Sequence, residues 1–190
     1  RDLELQRLDA YGDVYWVSVS GAPILDAQGR FRGYRGIGRD ITKRKVAEDE
    51  TQRLAFYDTL TGLPNRRLLM DRLGHAQVTS SRNRRYGALL FIDLDNFKAI
   101  NDEFGHAAGD EVLKVFAREL AGNLRQTDVA ARMGGEEFAL VLKRTLPETV
   151  EEAAERIRVA FSARRIETET GSLTCTVSAG FAFGTKEGLS

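Results

Sequence analysis

The stretch FIDLDNFKAINDEFGHAAGDEVL, residues 91–113, decides how this chain is read. It follows the apolar run Leu89–Ile92, which has the character of a buried strand, and ends that run with Asp93, Leu94 and Asp95. Alternation along a strand puts Asp93 and Asp95 on one side. Two like charges there are costly unless a cation or a hydrogen-bond donor neutralises them. The plain alternative for Asp93 is a surface cap at a strand end. Beyond it, Leu113, Phe116 and Leu120 recur at helical spacing within Asp110–Leu124. A buried strand followed by helices sets an α/β or α+β class.

Working outward, Asn65–Leu73 predicts a short helix and Gly87–Leu94 the buried strand. Val129–Arg132 and Glu137–Leu142 flank a Gly134–Gly135 turn, which predicts a β-hairpin. Pro147 suits the first turn of a helix whose buried stripe is Val150, Ala154, Ile157 and Phe161. Leu173–Phe183 predicts a further strand, with Cys175 buried in it. The order of helix, strand, helices, hairpin, helix and strand is that of a ferredoxin-like core with helices on one face.

The first forty residues differ. Leu3–Leu8, Val14–Ile24 and Phe31–Ile37 are strand-like runs separated by the turn signals Asp9–Gly12 and Asp26–Gly29. Three such strands bury little alone, so they are expected to be the C-terminal part of a larger domain. From Ile41 to Phe56 charged helix formers take over, with Thr42 as the expected N-cap. The apolar stripe there is thin, leaving a surface helix or a connector that pairs with its copy.

Composition excludes several classes. The 190 residues balance 28 basic against 28 acidic side chains, which argues against a grossly basic nucleic-acid binder. One cysteine, Cys175, rules out an internal disulfide and a cysteine-rich zinc site. The longest apolar runs, such as Ala88–Ile92, are too short to span a bilayer. The expectation is a cytoplasmic module without nucleic acid or membrane contact from this segment, although the full-length protein could be membrane-attached.

A second charged anomaly is Arg132-Met133-Gly134-Gly135-Glu136-Glu137-Phe138. Two glycines make a turn without side-chain bulk, so that a ligand can approach the backbone, and two acids follow. With the second hairpin strand antiparallel beside the strand ending at Asp93, Asp93 and Glu136 meet at one sheet edge. Oxygen ligands so placed suit Mg²⁺ or Mn²⁺, and carboxylates with phosphate oxygens are the recipe for metal-assisted nucleotidyl transfer. Asp95-Asn96-Phe97-Lys98 can turn its amides toward anionic oxygens, with Lys98 adding charge. Asn101 carries the donor and acceptor needed at a purine edge, and Asp110 can accept from a ring N–H and an exocyclic amine together. That pairing favours guanine, although Asp110 also stands where a helix cap would.

RMGGEEF (132–138), with FIDLDNFKAINDEFGHAAGD (91–110) before it and YDTLTGLPNR (57–66) leading in, resembles the GGDEF family of diguanylate cyclases. The resemblance covers roughly residues 55–184. It implies a palm-like fold and the condensation of two GTP into cyclic di-GMP with release of two pyrophosphates. By the same resemblance, Asp93, the Leu94 backbone and Glu136 are the expected metal ligands, with Glu137 close by. Asn96, Phe97 and Lys98 match the triphosphate turn, and Asn101 and Asp110 the guanine site. Glu136, Glu137 and Lys98 are the catalytic candidates. Glu136 stands where the family name has aspartate, and it keeps the carboxylate one methylene further out.

Arg125-Gln126-Thr127-Asp128 resembles the family's RxxD product site, and Arg156 falls at a further product-binding position. Residues 1–45 resemble the last three strands of a PAS sensory domain, and YWVSVSGAPILDAQGRFRGYRGIGRDITKRK (15–45) carries its tryptophan strand and the closing DIT segment that leads into a signalling helix. No PAS cofactor is assignable. The resemblance also implies a basic helix after the VSAGFA strand, beyond Ser190. The expected organisation is therefore residues 1–40 PAS, 41–56 connector and 57–190 a C-terminally incomplete GGDEF domain. The expected activity is cyclic di-GMP synthesis by a homodimer, under PAS control and product feedback. The rival is a catalytically silent module binding GTP or cyclic di-GMP, attached to a phosphodiesterase domain; a purely structural dimerisation domain is the blandest reading.

Overall fold

The computed structural model describes residues 2–83, 87–143, 145–169, 171–185 and 188–189. Its contacts divide the chain into Arg1–Arg53 and Leu54–Ser190. In the first unit β1 (Leu3–Leu8), β2 (Val14–Leu25) and β3 (Phe31–Asp40) form an antiparallel sheet in that order. Aspartates make both turns. Asp9 Oδ1 accepts the amides of Tyr11 and Asp13, and Asp26 Oδ1 those of Gln28 and Arg30. Helix α1 (Thr42–Phe56) buries none of its residues. Its expected cap, Thr42, is used elsewhere: Thr42 Oγ1 accepts the Trp16 amide at 2.9 Å. Asp40 Oδ1 takes the Thr42 amide instead, at 2.8 Å.

The second unit holds α2 (Arg66–Asn83), β4 (Gly87–Leu94), α3 (Phe97–Phe104), α4 (His106–Asn123), β5 (Val129–Gly134) and β6 (Glu137–Lys143). After them come α5 (Pro147–Ser162), β7 (Ile166–Thr168), β8 (Gly171–Leu173), β9 (Val177–Thr185) and β10 (Gly188–Leu189). The main sheet runs β10-β9-β4-β6-β5, with every pairing antiparallel. Central β4 is apolar on both faces; one is fully covered and the other is covered at Leu89 but leaves Phe91 half exposed. Leu90, Ile92 and Leu94 join a core with Val112, Phe116 and Leu120 of α4 and Ile157 and Phe161 of α5. Leu89 joins Ala131, Ala139 and Val141 beneath Leu69 of α2. The expectation of helices on one face is thus corrected: α2 covers the other.

Three further elements differ from expectation. Helix α2 continues to Asn83, well past Leu73, where the apolar spacing ends. Helix α4 starts at His106 with Gly105 as its N-cap, four residues before Asp110. The strand expected over Leu173–Phe183 is broken: β8 pairs with β7 in a separate two-stranded sheet, and β9 begins only at Val177. The break carries Cys175, which is buried there and not in a strand. Burial, with the nearby Asp95 charge, pushes its thiol up to about 11. Among the described residues no helix is long and apolar enough to cross a membrane.

Candidate active site

The antiparallel register of β4 and β6 sets Asp93 opposite Glu137, with Glu136 one residue further into the turn. Between β5 and β6 the register shifts at Met133, so that Gly134 pairs with Glu137 and the tight turn is Gly135–Glu136, one residue later than expected. Gly134 (φ 146°) and Gly135 (φ 52°) both need the positive torsions that glycine adopts without a Cβ penalty. The Leu94 amide donates to the Glu136 carbonyl at 3.4 Å, which joins the end of β4 to this turn.

Partial desolvation and the negative charges of Glu136, Glu137 and Asp95 push the Asp93 carboxyl above its ordinary value. Asp95, two residues on, behaves oppositely. Ser178 Oγ and Thr176 Oγ1 donate to its two oxygens at 2.6 Å each, and those bonds hold its carboxyl below the usual range. The pair read as one like-charge problem is therefore solved on one side by hydroxyl donors. The other side, the carboxylates of Asp93, Glu136 and Glu137, has no hydrogen-bond or ion-pair partner among the described residues. No cluster of three or more metal-ligating side chains is gathered there either. Two carboxylates beside an exposed glycine turn fit a small hard cation that completes its shell with water and phosphate oxygens.

Asn96 adopts the left-handed conformation (φ 57°, ψ 25°) and starts α3, with Phe97 buried and Lys98 exposed on the first turn. Asn101 lies toward the far end of α3, and its side chain rests on Gly109 of α4. A Cβ at Gly109 would overlap the Asn101 amide and approach Phe97 Cζ to 3.1 Å. Asn101 thus packs on the first turn of α4 at Gly109, one residue along the chain from Asp110. Since Gly105 caps α4, Asp110 is an exposed side chain inside the helix and the capping explanation for it fails.

Sequence reasoning missed Asp58 and Arg132. Arg132 Nε and Nη2 donate to the Gly135 carbonyl at 2.9 and 2.8 Å, and Nη1 reaches both Asp58 oxygens at 3.1 and 3.2 Å. Desolvation alone would raise the Asp58 carboxyl, yet bonds from Thr61 and the Arg132 guanidinium hold it below its ordinary value. The usable signal was an arginine two residues before the glycine turn combined with an aspartate in a DTLTG loop.

Comparison with known proteins decides the family. The description "Diguanylate cyclase, GGDEF domain" matches residues 55–190. Diguanylate cyclase DgcP of Pseudomonas aeruginosa is 47% identical over 135 residues, 70% of this chain and 20% of that protein. Diguanylate cyclase DgcM of Escherichia coli K12 is 41% identical over 146 residues, 77% of this chain and 35% of that protein. The crystal structure of the coiled coil and GGDEF domain of DgcB from Caulobacter crescentus, in complex with c-di-GMP, superposes with a TM-score of 0.72. It is 30% identical and covers 78% of this chain and 80% of that one. This chain belongs to the GGDEF family of diguanylate cyclases. It spans about a fifth and a third of the two curated relatives' lengths.

At the other end of the GGDEF domain's hairpin, Arg125 and Asp128 lie in the loop between α4 and β5. Asp128 accepts from the Arg125 backbone amide (3.3 Å), Thr127 Oγ1 (3.4 Å) and the Lys143 amide (3.2 Å). A surface ion pair between Arg125 and Asp128 is not formed. The Arg125 guanidinium has no ion-pair partner among the described residues, and with Asp128, Arg72 and Lys143 it lines a cavity of about 700 Å³. Arg156 of α5 donates to the Asn123 carbonyl at 3.2 Å, two residues before Arg125. It does not line that cavity.

Proposed function

We propose that this chain synthesises cyclic di-GMP from two GTP. The observation that carries the reading is the meeting of Asp93, Glu136 and Glu137, without donors, beside a glycine turn. Asp93, the Leu94 backbone and Glu136 would hold Mg²⁺ or Mn²⁺, which when bound polarises the α-phosphate and neutralises the departing pyrophosphate. Asn101 and Asp110 read guanine, while the Asn96–Phe97 amides and Lys98 face the triphosphate. In each half-reaction the 3′-oxygen of one GTP bonds to the α-phosphorus of the other. The bond from that phosphorus to the β-phosphate oxygen breaks, and the 3′-OH proton leaves to a base, a role that Glu136 or Glu137 would take. Two such steps give one cyclic dinucleotide and two pyrophosphates. Because each subunit would hold one GTP, a homodimer is required, and positioning supplies much of the rate.

The same reading makes residues 1–40 the end of a PAS sensor and 41–56 the connector that sets the dimer arrangement. Arg125, Asp128 and Arg156 would bind product as feedback. Against a silent module stand Asp93, Lys98, Asn101, Asp110 and Glu136, all present in this chain. The test is incubation of the full-length protein with GTP and Mg²⁺, followed by chromatographic identification of products. Cyclic di-GMP with two equivalents of pyrophosphate is expected. GTP bound and returned unchanged overturns the enzyme reading in favour of the regulatory one.

A further inference from the structure

We propose that Arg132 is a positioning residue for Glu136, and that its forked contact ties the carboxylate turn to the end of helix α1. The inference rests on reading Asp93 and Glu136 as metal ligands. Gly135 and Glu136 share one planar peptide, so holding the Gly135 carbonyl sets the plane from which the Glu136 side chain departs. Arg132 holds that oxygen with two donors, at 2.9 and 2.8 Å. On the other side of Glu136, its carbonyl accepts from Leu94. A turn built on two glycines has wide conformational freedom, and Glu136, unlike the strand-paired Glu137, needs such restraint to keep its carboxylate near Asp93.

The far end of the fork is equally fixed. Asp58 Oδ1 also accepts the Thr61 amide at 2.8 Å and the Thr61 hydroxyl at 2.7 Å. The Arg132 and Asp58 side chains are only 13% and 22% exposed, so solvent screens the pair little. The Arg132 amide donates to Pro64 O at 3.0 Å, and Asn65, the next residue, donates to the Phe56 and Ala55 carbonyls at 2.9 and 3.0 Å. Those are the last two residues of α1. The exit of α1 and the Glu136 turn thus share one anchor. Only a planar guanidinium reaches a carbonyl and a carboxylate on opposite sides at once; a lysine ammonium is a single point charge.

Arg132→Lys, Asp58→Asn and Asn65→Ala, made in the full-length protein, test this with Mn²⁺ as probe. Mn²⁺ binding is followed by electron paramagnetic resonance in the presence of a non-hydrolysable GTP analogue. Outer-shell partners of metal sites are typically worth about 10–100-fold in affinity or activity. Arg132→Lys should therefore raise the half-saturating Mn²⁺ concentration by about 10-fold or more and lower kcat similarly. Metal-free binding of the analogue, which relies on Asn101 and Asp110, should be unchanged. Asp58→Asn should move Mn²⁺ binding the same way, and it decides the matter if Arg132→Lys does not fold. Asn65→Ala should move it less. Arg164→Ala, which removes a 2.7 Å ion pair to Glu119 elsewhere in the domain, controls for lost stability. It should lower the melting temperature without shifting Mn²⁺ binding. Mn²⁺ curves within twofold of wild type for Arg132→Lys or Asp58→Asn, or an equal shift in Arg164→Ala, overturn the positioning role. If wild type itself binds no Mn²⁺ and makes no cyclic di-GMP, the functional reading falls, and this inference with it.

Discussion

The two ends of the β5–β6 hairpin handle charge in opposite ways. At the turn, Asp93 feels the negative charges of Glu136 and Glu137, which help hold its carboxyl above its ordinary pKa. At the open end the Asp128 carboxylate gathers three donors, and the Arg125 guanidinium has no ion-pair partner among the described residues. A folded chain normally pairs its polar groups internally, so what each end leaves unpaired indicates the ligand it suits. The carboxylates at the turn have no ion-pair partner among the described residues, because the nearby Arg132 guanidinium is committed to the Gly135 carbonyl and Asp58, and they suit a cation. The loop has a spare cation and suits an anion. On the proposed function, the hairpin joins two sites of opposite demand within one element.

The largest effect should come from removing charge at the turn. Asp93→Asn or Glu136→Gln should lower turnover by more than about 1,000-fold, equivalent to about 4 kcal/mol of transition-state stabilisation. Stability should move the other way for Asp93→Asn. A raised carboxyl binds more protons folded than unfolded, so its penalty is absent at low pH and grows as pH rises from the ordinary value through the raised one. Asp93→Asn should thus melt at the same temperature as wild type in acid and at a higher one at pH 7. Melting curves at both pH values, beside product chromatography, check this. Normal cyclic di-GMP synthesis by both variants would erase the contrast between the hairpin's ends.

Base choice comes next. Adenine offers Asp110 its amine beside a ring nitrogen with no proton, leaving one carboxylate oxygen without its donor. A lost hydrogen bond to a charged group costs about 1.5–3 kcal/mol, so ATP should fall about 100-fold below GTP in kcat/KM. Competition kinetics with the two nucleotides measure it. Gly109→Ala should narrow the same gap, because its Cβ would dislodge Asn101. Equal use of ATP would remove the guanine reading of Asn101 and Asp110.

Much of this was legible in the chain because strand alternation and apolar spacing depend on local order. The β4–β6 pairing followed from an apolar run ending in acids and a glycine turn followed by acids. The second helical layer was harder to see: α2 buries Leu69 over small residues, Ala131 and Ala139, which announce no face by themselves. The division between Asp93 and Asp95 was hidden, because the donors to Asp95 come from Thr176 and Ser178, more than eighty residues away. The irregular stretch between β8 and β9, where periodicity predicted one unbroken strand, holds one of those donors, Thr176. Arg132 was invisible for a similar reason, since its meaning lies in Asp58, 74 residues earlier.

The smallest effect on the fold, and the sharpest test of the hairpin's other end, is Arg125→Ala. The bond from residue 125 to Asp128 comes from its backbone amide, which alanine keeps, so the loop should stay closed. Its guanidinium holds no ion pair among the described residues, and even exposed pairs are worth about 0–1 kcal/mol. The variant should melt within a degree or two of wild type and keep its initial rate at saturating GTP. Inhibition by cyclic di-GMP is a different matter. There the lost guanidinium takes away charge-assisted bonds to phosphate, worth about 1.5–3 kcal/mol, so the inhibition constant should rise about 10-fold or more. Product titration against initial rate, repeated at several GTP concentrations, separates the outcomes. A noncompetitive pattern in wild type that weakens in Arg125→Ala places a product site at the open end of the hairpin. Identical inhibition curves, or inhibition purely competitive with GTP, would mean that product binds only at the turn end, and the division of the hairpin into a cation end and an anion end would fail.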